Sequence, residues 1–378
     1  MRTVTWEQAN ARRLAHHGLA APFASDTTVA EVAAAVSGVH AQILSAAEVS
    51  AAVRVEGATR ADVRRALWEE QSLVKTFGPR GTVHLLPTAD LGRWMAALGA
   101  VPHQSPFPDG VRMSAEETTT VIDAIRTALT DAALTVDELT EAVGDLAGAW
   151  AAEPVMPAFQ TLWPRWRQAT DRAAYAGALC YGPDRDRKVT YTRPPDTEQV
   201  DADQAVDWAI SSYLRGYGPA TPASFAPWFG CTPAWATERM SGHADLERVE
   251  LDGEPAYDLR GARYDGEQPG GVRLLPYFDA FVVGSRPRHR LFPGRAAERA
   301  LVPSGQAGNY PVLLVDGEVA GVWHQKRSGR RIAVTVEPLR RLLKARVAAL
   351  EEQVARLGEV LEGDATLTIG EVTVGPHA

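Results

Sequence analysis

His40 and Gln42 stand two residues apart in the stretch Gly38-Val39-His40-Ala41-Gln42-Ile43, where an apolar helix hands over to a loop and no charged residue lies alongside. A neutral imidazole accepts a proton through one ring nitrogen, and its unperturbed pKa of about 6.5 leaves it mostly deprotonated at neutral pH. A carboxamide oxygen accepts a hydrogen bond and can orient a water molecule. Spacing alone does not single the pair out, because two polar groups after a helix end ordinarily serve as a cap.

Other chemistries fare worse. Ser37 and Ser45 flank His40, yet neither lies in a G-x-S-x-G turn and no Asp completes a triad. Cys180 and Cys231 are lone cysteines with no metal-ligand spacing, so neither a metal site nor a disulfide framework is expected. Phosphate-binding and dinucleotide fingerprints are missing, and no cofactor is expected. The pairs Glu116-Glu117 and Glu351-Glu352 read as solvated helix faces. Trp163 and Trp166, interleaved with Arg165 and Arg167, have the types that stack on bases, but helix packing is the simpler expectation.

The elements that must position these residues follow from local signals. A chain of 378 residues, 45% hydrophobic, is long enough for roughly two to four domains. No apolar run reaches membrane-spanning length, and MRTVTWEQANARR lacks the apolar core of a signal peptide, so a cytoplasmic location is expected. Helices are predicted over Thr5–Gly18, from the Thr28/Glu31 capping box to Gly38, and from Thr59 and Asp62 onward. Two strands joined at Gly78-Pro79-Arg80-Gly81 follow in SLVKTFGPRGTVHLLP.

Helices then hairpin is the order of a winged helix, and it recurs. Helices are predicted at 114–130, 135–146 and about 157–176, followed by strand, turn and strand in AGALCYGPDRDRKVTYTRP. A third set uses Thr221-Pro222 and Thr232-Pro233 as helix starts and ends in a hairpin turning at Asp252-Gly253. From Gly271 the glycine-punctuated strands VRLLPYFDAFVVG, YPVLLVDGEVAGVW and RRIAVTVEPL predict a small β-barrel or sheet, covered by a helix over 339–362. The expected fold is α+β, with winged-helix units at 1–100, 110–196 and 200–262 and a β-barrel domain at 270–378.

Charge is divided by region. Residues 272–346 hold 14 Lys and Arg against 5 Asp and Glu, whereas the rest holds 25 against 42. An acidic body with one basic segment can grip phosphate at a defined place without binding every polyanion. The candidate phosphate contacts are Lys75, Arg80 and His84 in the first hairpin, Arg286, Arg288, His289 and Arg290 in SRPRHR, and Lys326, Arg327, Arg330 and Arg331 in HQKRSGRR. The last two stretches read as basic loops of the barrel, the second as a hairpin tip.

Five stretches together, GVHAQ, KTFGPRGTVHLL, YLRGYGPATPASFAPWFG, LLPYFDAFVVG and PVLLVDGEVAGVW, resemble the AlkZ/YcaQ-type winged-helix DNA glycosylases, in family order over nearly the whole chain. The resemblance implies three tandem winged helices and a barrel in a C around duplex DNA, and excision of alkylated bases by a monomer without cofactor. It also implies that the family's Gln, apolar, Gln motif falls on His40, Ala41 and Gln42. Gln42 places the chain with the AlkZ-like branch, in which a His-containing subclass occurs and which includes self-resistance enzymes acting on bulky N7-alkylguanine adducts or crosslinks. On this resemblance Gln42 would position water and His40 would be a base or second water ligand. A barrel hairpin, either 304–310 or 326–331, would probe the groove at the lesion. The competing expectation is a non-catalytic winged-helix DNA-binding protein such as a regulator, or a binder that sequesters adducts.

Overall fold

The computed structural model describes residues 2–102, 105–158, 161–264 and 270–376. Its contacts divide the chain into two compact units, one formed by residues 1–70 with 210–378 and the other by residues 71–209. The limit after Glu70 falls between the helix Arg60–Trp68 and the hairpin that follows it.

The unit of residues 71–209 opens with the antiparallel hairpin Leu73–Phe77 and Val83–Pro87, in which Thr76 faces His84. Arg80 and Gly81 turn it with positive φ of 62° and 64°. The helix Leu91–Gly99, not foreseen from sequence, comes next. Helices Ala115–Ala128 and Val136–Ala147 begin at capping boxes of Ser114 with Glu117 and Thr135 with Glu138.

The helix expected over 157–176 is corrected. The chain forms strands Pro154–Pro157 and Leu162–Pro164, a 3-10 turn Arg165–Ala169 and only then the helix Thr170–Tyr175. Pro154, Pro157 and Pro164 explain this, since proline lacks the donor a helix interior needs and pushes its predecessor toward extended backbone. Phe159 and Gln160 of that expectation lie outside the described residues. The hairpin Cys180–Arg185 and Lys188–Thr192 forms as expected. Trp166 is buried among Val121, Ile125, Leu139 and Val143, its indole N–H donating to Thr140 Oγ1 at 3.0 Å, so it packs the core.

In the other unit a strand at Arg2–Val4 pairs in parallel with Leu246–Leu251, which forms a hairpin with Glu254–Leu259 across the Asp252-Gly253 turn. Sequence reading missed this strand, whose partner lies more than two hundred residues away. Helices Trp6–His16, Val29–Ala35 and Arg60–Trp68 form at their capping boxes, and helices Pro222–Phe229 and Pro233–Gly242 start at Thr221 and Thr232. A further helix, Leu44–Ala52, was not foreseen, being too apolar and alanine-rich to present a polar face.

The C-terminal strands form one five-stranded sheet in the order Val272–Leu275, Val312–Val315, Glu318–Ser328, Arg331–Pro338 and Asp364–Ile369. The first and last strands are opposite edges, so the sheet is an open half-barrel rather than the expected closed barrel. The helix Lys344–Val360 packs against the first strand through a buried face of Leu350, Val354, Leu357 and Val360. It begins five residues later than expected and acts as the crossover to a last strand parallel to its neighbour. VRLLPYFDAFVVG is strand only to Leu275, after which Asp279 caps a helical turn at Ala280–Gly284. The core joins Leu275, Phe281, Val312 and Val322 to Trp6, Leu14 and Leu19 from the N-terminal segment.

Across this core runs a buried ion pair. Arg54 Nη1 and Nη2 each donate to a different oxygen of Asp279 at 2.8 Å, and the Ser50 hydroxyl donates to Oδ2 at 2.7 Å. Both charged side chains are fully buried. Removing one partner of such a pair strands the other charge away from water, at a cost of about 3–5 kcal/mol. Arg54→Leu is therefore expected to lower the urea-unfolding midpoint by a free energy in that range, and Asp279→Leu added to it should recover part of the loss. A single variant as stable as the parent would contradict this assignment.

Candidate active site

The segment around His40 is fixed at both ends by backbone geometry. The helix Val29–Ala35 stops where Ser37 and Gly38 take positive φ of 58° and 96°, and the Gly38 amide donates to the Ala33 carbonyl at 2.8 Å. The Ser37 hydroxyl meets that of Ser212 at 2.9 Å in the interior, so it is a structural contact rather than a nucleophile. Val39 and His40 then form a short strand, and after three intervening residues the helix Leu44–Ala52 begins. Val39, His40 and Ala41 are buried while Gln42 is exposed. The two polar side chains thus differ in kind: His40 is held within the fold, and the Gln42 carboxamide is open to whatever approaches.

His40 packs against Phe278, with ring centroids 4.7 Å apart and planes inclined at 31°. Phe278, Ser50, Arg54 and Asp279 were not legible as site residues in the sequence. The one signal was the LPYFDAF stretch, where an aspartate among apolar residues has to be buried with a partner or act as a cap. Asp279 does both, accepting from Arg54 and Ser50 and from the Phe281 amide at 3.0 Å. The Tyr217 hydroxyl lies 3.0 Å from the Val36 carbonyl and 3.1 Å from that of Ala280, tying the two segments together again.

The cations expected at phosphate fall into distinct settings. In the unit of residues 71–209, Lys75 lies over the Tyr181 ring at 4.6 Å, and burial draws its pKa down against the opposing charge of Asp184. Arg80 sits at the hairpin turn, half-buried. His84 is buried, with Nδ1 2.8 Å from the Thr82 carbonyl and its ring where a Cβ on Gly78 would fall. In the other unit, SRPRHR is not a barrel loop, since Arg288–Leu291 is a helical turn. Arg286 donates to the Val283 and Ser285 carbonyls at 3.1 Å, and Arg288 to the same two at 2.7 and 3.0 Å. Arg290 is exposed and paired with Asp252 at 2.6 Å, and His289 is exposed beside it.

Lys326, Arg327, Arg330 and Arg331 are all exposed on a hairpin whose tip lies at Gly329-Arg330. Arg327 donates to the Leu361 carbonyl at 2.7 Å, which braces the hairpin close to its tip. In the alternative loop, 304–310, Ser304 and Gln306 are exposed but Ala307, Gly308 and Asn309 are buried, and the Gly308 carbonyl accepts from the Phe278 amide at 3.1 Å. Of the two, 326–331 is the projecting one.

Among the described residues no group of three His, Cys, Asp or Glu is arranged to hold a metal, and no helix is long and apolar enough to cross a membrane. Burial pushes both cysteine thiols up to about 12, so neither is poised as a nucleophile.

Comparison with known proteins places the chain in a family. Residues 33–360 match the family model of AlkZ-like DNA glycosylases. The chain is 29% identical over 358 residues to an interstrand DNA cross-link repair glycosylase of Streptomyces sahachiroi, covering 84% of this chain and 87% of the relative. The solved structure of the DNA glycosylase AlkZ from the same organism superposes with a TM-score of 0.81 at 25% identity, over 97% of this chain and all of that one. The chain belongs to the AlkZ-like DNA glycosylase family.

Proposed function

We propose that this DNA glycosylase hydrolyses the N-glycosidic bond of alkylated purines, above all bulky N7-alkylguanine adducts left by natural-product genotoxins, as a monofunctional enzyme of self-resistance. The observation that carries the reading is the pairing, within a matched glycosylase chain, of an exposed Gln42 with a buried His40 on one short uncharged segment. The relative from Streptomyces sahachiroi, named for crosslink repair, supports a large adduct over a methyl group.

The chemistry suits so modest a pair. N7-alkylation places a positive charge on guanine, so the bond from N9 to C1′ is already weakened and no strong acid is needed to expel the base. Water adds its oxygen to C1′, the N9–C1′ electron pair leaves with the base, and the base departs neutral. Gln42 accepts a hydrogen bond from that water and aims it. His40 takes the proton the water loses, or holds the water as a second ligand.

In this reading the chain carries three winged-helix units, at 1–100, 110–196 and 200–262, ahead of the half-barrel domain at 270–378, and acts as a nucleoid-associated monomer in the cytoplasm on duplex DNA. The hairpin of Lys326, Arg327, Arg330 and Arg331 is the proposed groove probe, because its cations are exposed. Lys75 and Arg80 are proposed at the backbone, and Arg290 becomes available once released from Asp252. His84, Arg286 and Arg288 are proposed to shape their loops rather than to meet phosphate.

Three outcomes follow. Gln42→Ala should slow single-turnover excision by on the order of 100-fold or more, read as alkali-labile sites in a duplex bearing one N7-alkylguanine, with affinity for undamaged duplex unchanged. No breaks above the spontaneous rate with the wild-type chain on any such adduct would overturn the reading. If His40 is the base, excision falls as pH drops through its pKa and His40→Gln flattens that limb; an identical profile assigns His40 to holding water instead. Lys326→Ala with Arg331→Ala should weaken duplex binding and reduce the slope of log K against log salt by about 2, whereas an unaltered slope removes the hairpin from the phosphate contacts.

A further inference from the structure

The geometry points to Phe278 as a positioning residue that holds the His40 imidazole in its working orientation, with Gly308 as the support that makes this possible. The inference rests on the reading of His40 as part of the active site. Phe278 has φ of +53°, a conformation that an aromatic residue rarely takes and that persists only where its surroundings impose it. The surroundings do so from three sides. On one side Asp279, the next residue, is locked by Arg54, by Ser50 and by the Phe281 amide. From the other side the Phe278 amide donates to the Gly308 carbonyl at 3.1 Å. Third, the His40 ring lies 4.7 Å away against the phenyl ring.

Gly308 has to be glycine for this contact to exist. Its φ is +106°, and a Cβ there would fall 2.8 Å from Phe278 Cδ1, 3.1 Å from Phe278 Cα and 3.3 Å from Val283 Cγ2. A methyl group at 308 would therefore displace the phenyl ring that lies against His40. Leucine would fill much of the same space without the flat surface. What the strained backbone secures is a flat face beside the imidazole, which limits its rotation about χ2. Displacement of a catalytic group by about 1 Å costs up to 10²-fold in rate, so this restraint matters for turnover more than for binding.

The test uses the full chain with Phe278→Leu, Phe278→Tyr and Gly308→Ala, and reads two quantities. The first is the ¹H–¹³C signal of the His40 Cε1–H, assigned by its disappearance in His40→Gln. The phenyl ring current should displace this signal in the wild type and in Phe278→Tyr; the displacement should be lost in Phe278→Leu and altered in Gly308→Ala. The second is single-turnover excision from a duplex bearing one bulky N7-alkylguanine. Phe278→Leu should lose on the order of 10-fold in rate with Kd for the same duplex unchanged, while Phe278→Tyr stays close to wild type. Should Phe278→Leu not fold, Phe278→Met carries both measurements. A His40 signal indifferent to residue 278, or full excision rate in the folded leucine or methionine variant, overturns the positioning role. Failure of the wild-type chain to excise would overturn the enzymatic reading instead, and the signal would still decide whether Phe278 orients His40.

Discussion

The buried pair of Arg54 and Asp279 is the constraint on which the site depends. Two ions taken from water are tolerated only when geometry and hydrogen bonding compensate for desolvation, and here two guanidinium N–H groups, a serine hydroxyl and a backbone amide meet one carboxylate. The partners are 225 residues apart in sequence. Because Arg54 follows the helix Leu44–Ala52 and Asp279 opens the turn Ala280–Gly284, the pair fixes these two elements against each other. Phe278 then has little choice of place, and it lands on His40. Arg13 supplies a second buried cation nearby in the fold, bound to the Gly218 and Pro219 carbonyls; burial pulls its pKa down to about 10, which still leaves it charged at neutral pH.

How far the sequence disclosed this depended on the range of each interaction. Capping boxes at Thr28 and Thr59, the Thr-Pro starts at Thr221 and Thr232 and the Asp252-Gly253 turn involve neighbours in sequence, and all were legible. The parallel strand Arg2–Val4 was not, because its pairing is decided by a distant segment. Leu44–Ala52 escaped notice since a helix buried on most sides has no amphipathic stripe to reveal it. The first four strands of the C-terminal sheet were readable and the last, Asp364–Ile369, was not; alternation along a strand does not say whether the two edges meet, and they do not.

The site shows the same division. His40 and Gln42 were singled out as candidates by residue type and family resemblance, and the structure adds that one is enclosed and the other exposed. Charge misled at Arg286 and Arg288, because a guanidinium can be drawn inward when backbone carbonyls at a helical turn accept its protons. Lys326, Arg330 and Arg331 stay exposed on the hairpin, Arg330 beside Asp364 at 3.6 Å. Local basicity therefore overstates the surface offered to DNA, and burial sorts the structural arginines from those able to meet phosphate. That leaves an acidic chain with a confined basic edge, suited to engaging a duplex at one place.

The central claim, that Gln42 aims a water at C1′ while His40 stands behind it, is tested most directly by a crystal structure of the chain bound to duplex DNA carrying an abasic-site analogue with a cationic sugar mimic. The account predicts an ordered water within hydrogen-bonding distance of Gln42 Oε1 and close to the atom replacing C1′, with the His40 ring still stacked on Phe278. A lesion sugar lodged away from residues 40–42, or a water held there by other side chains, would contradict it.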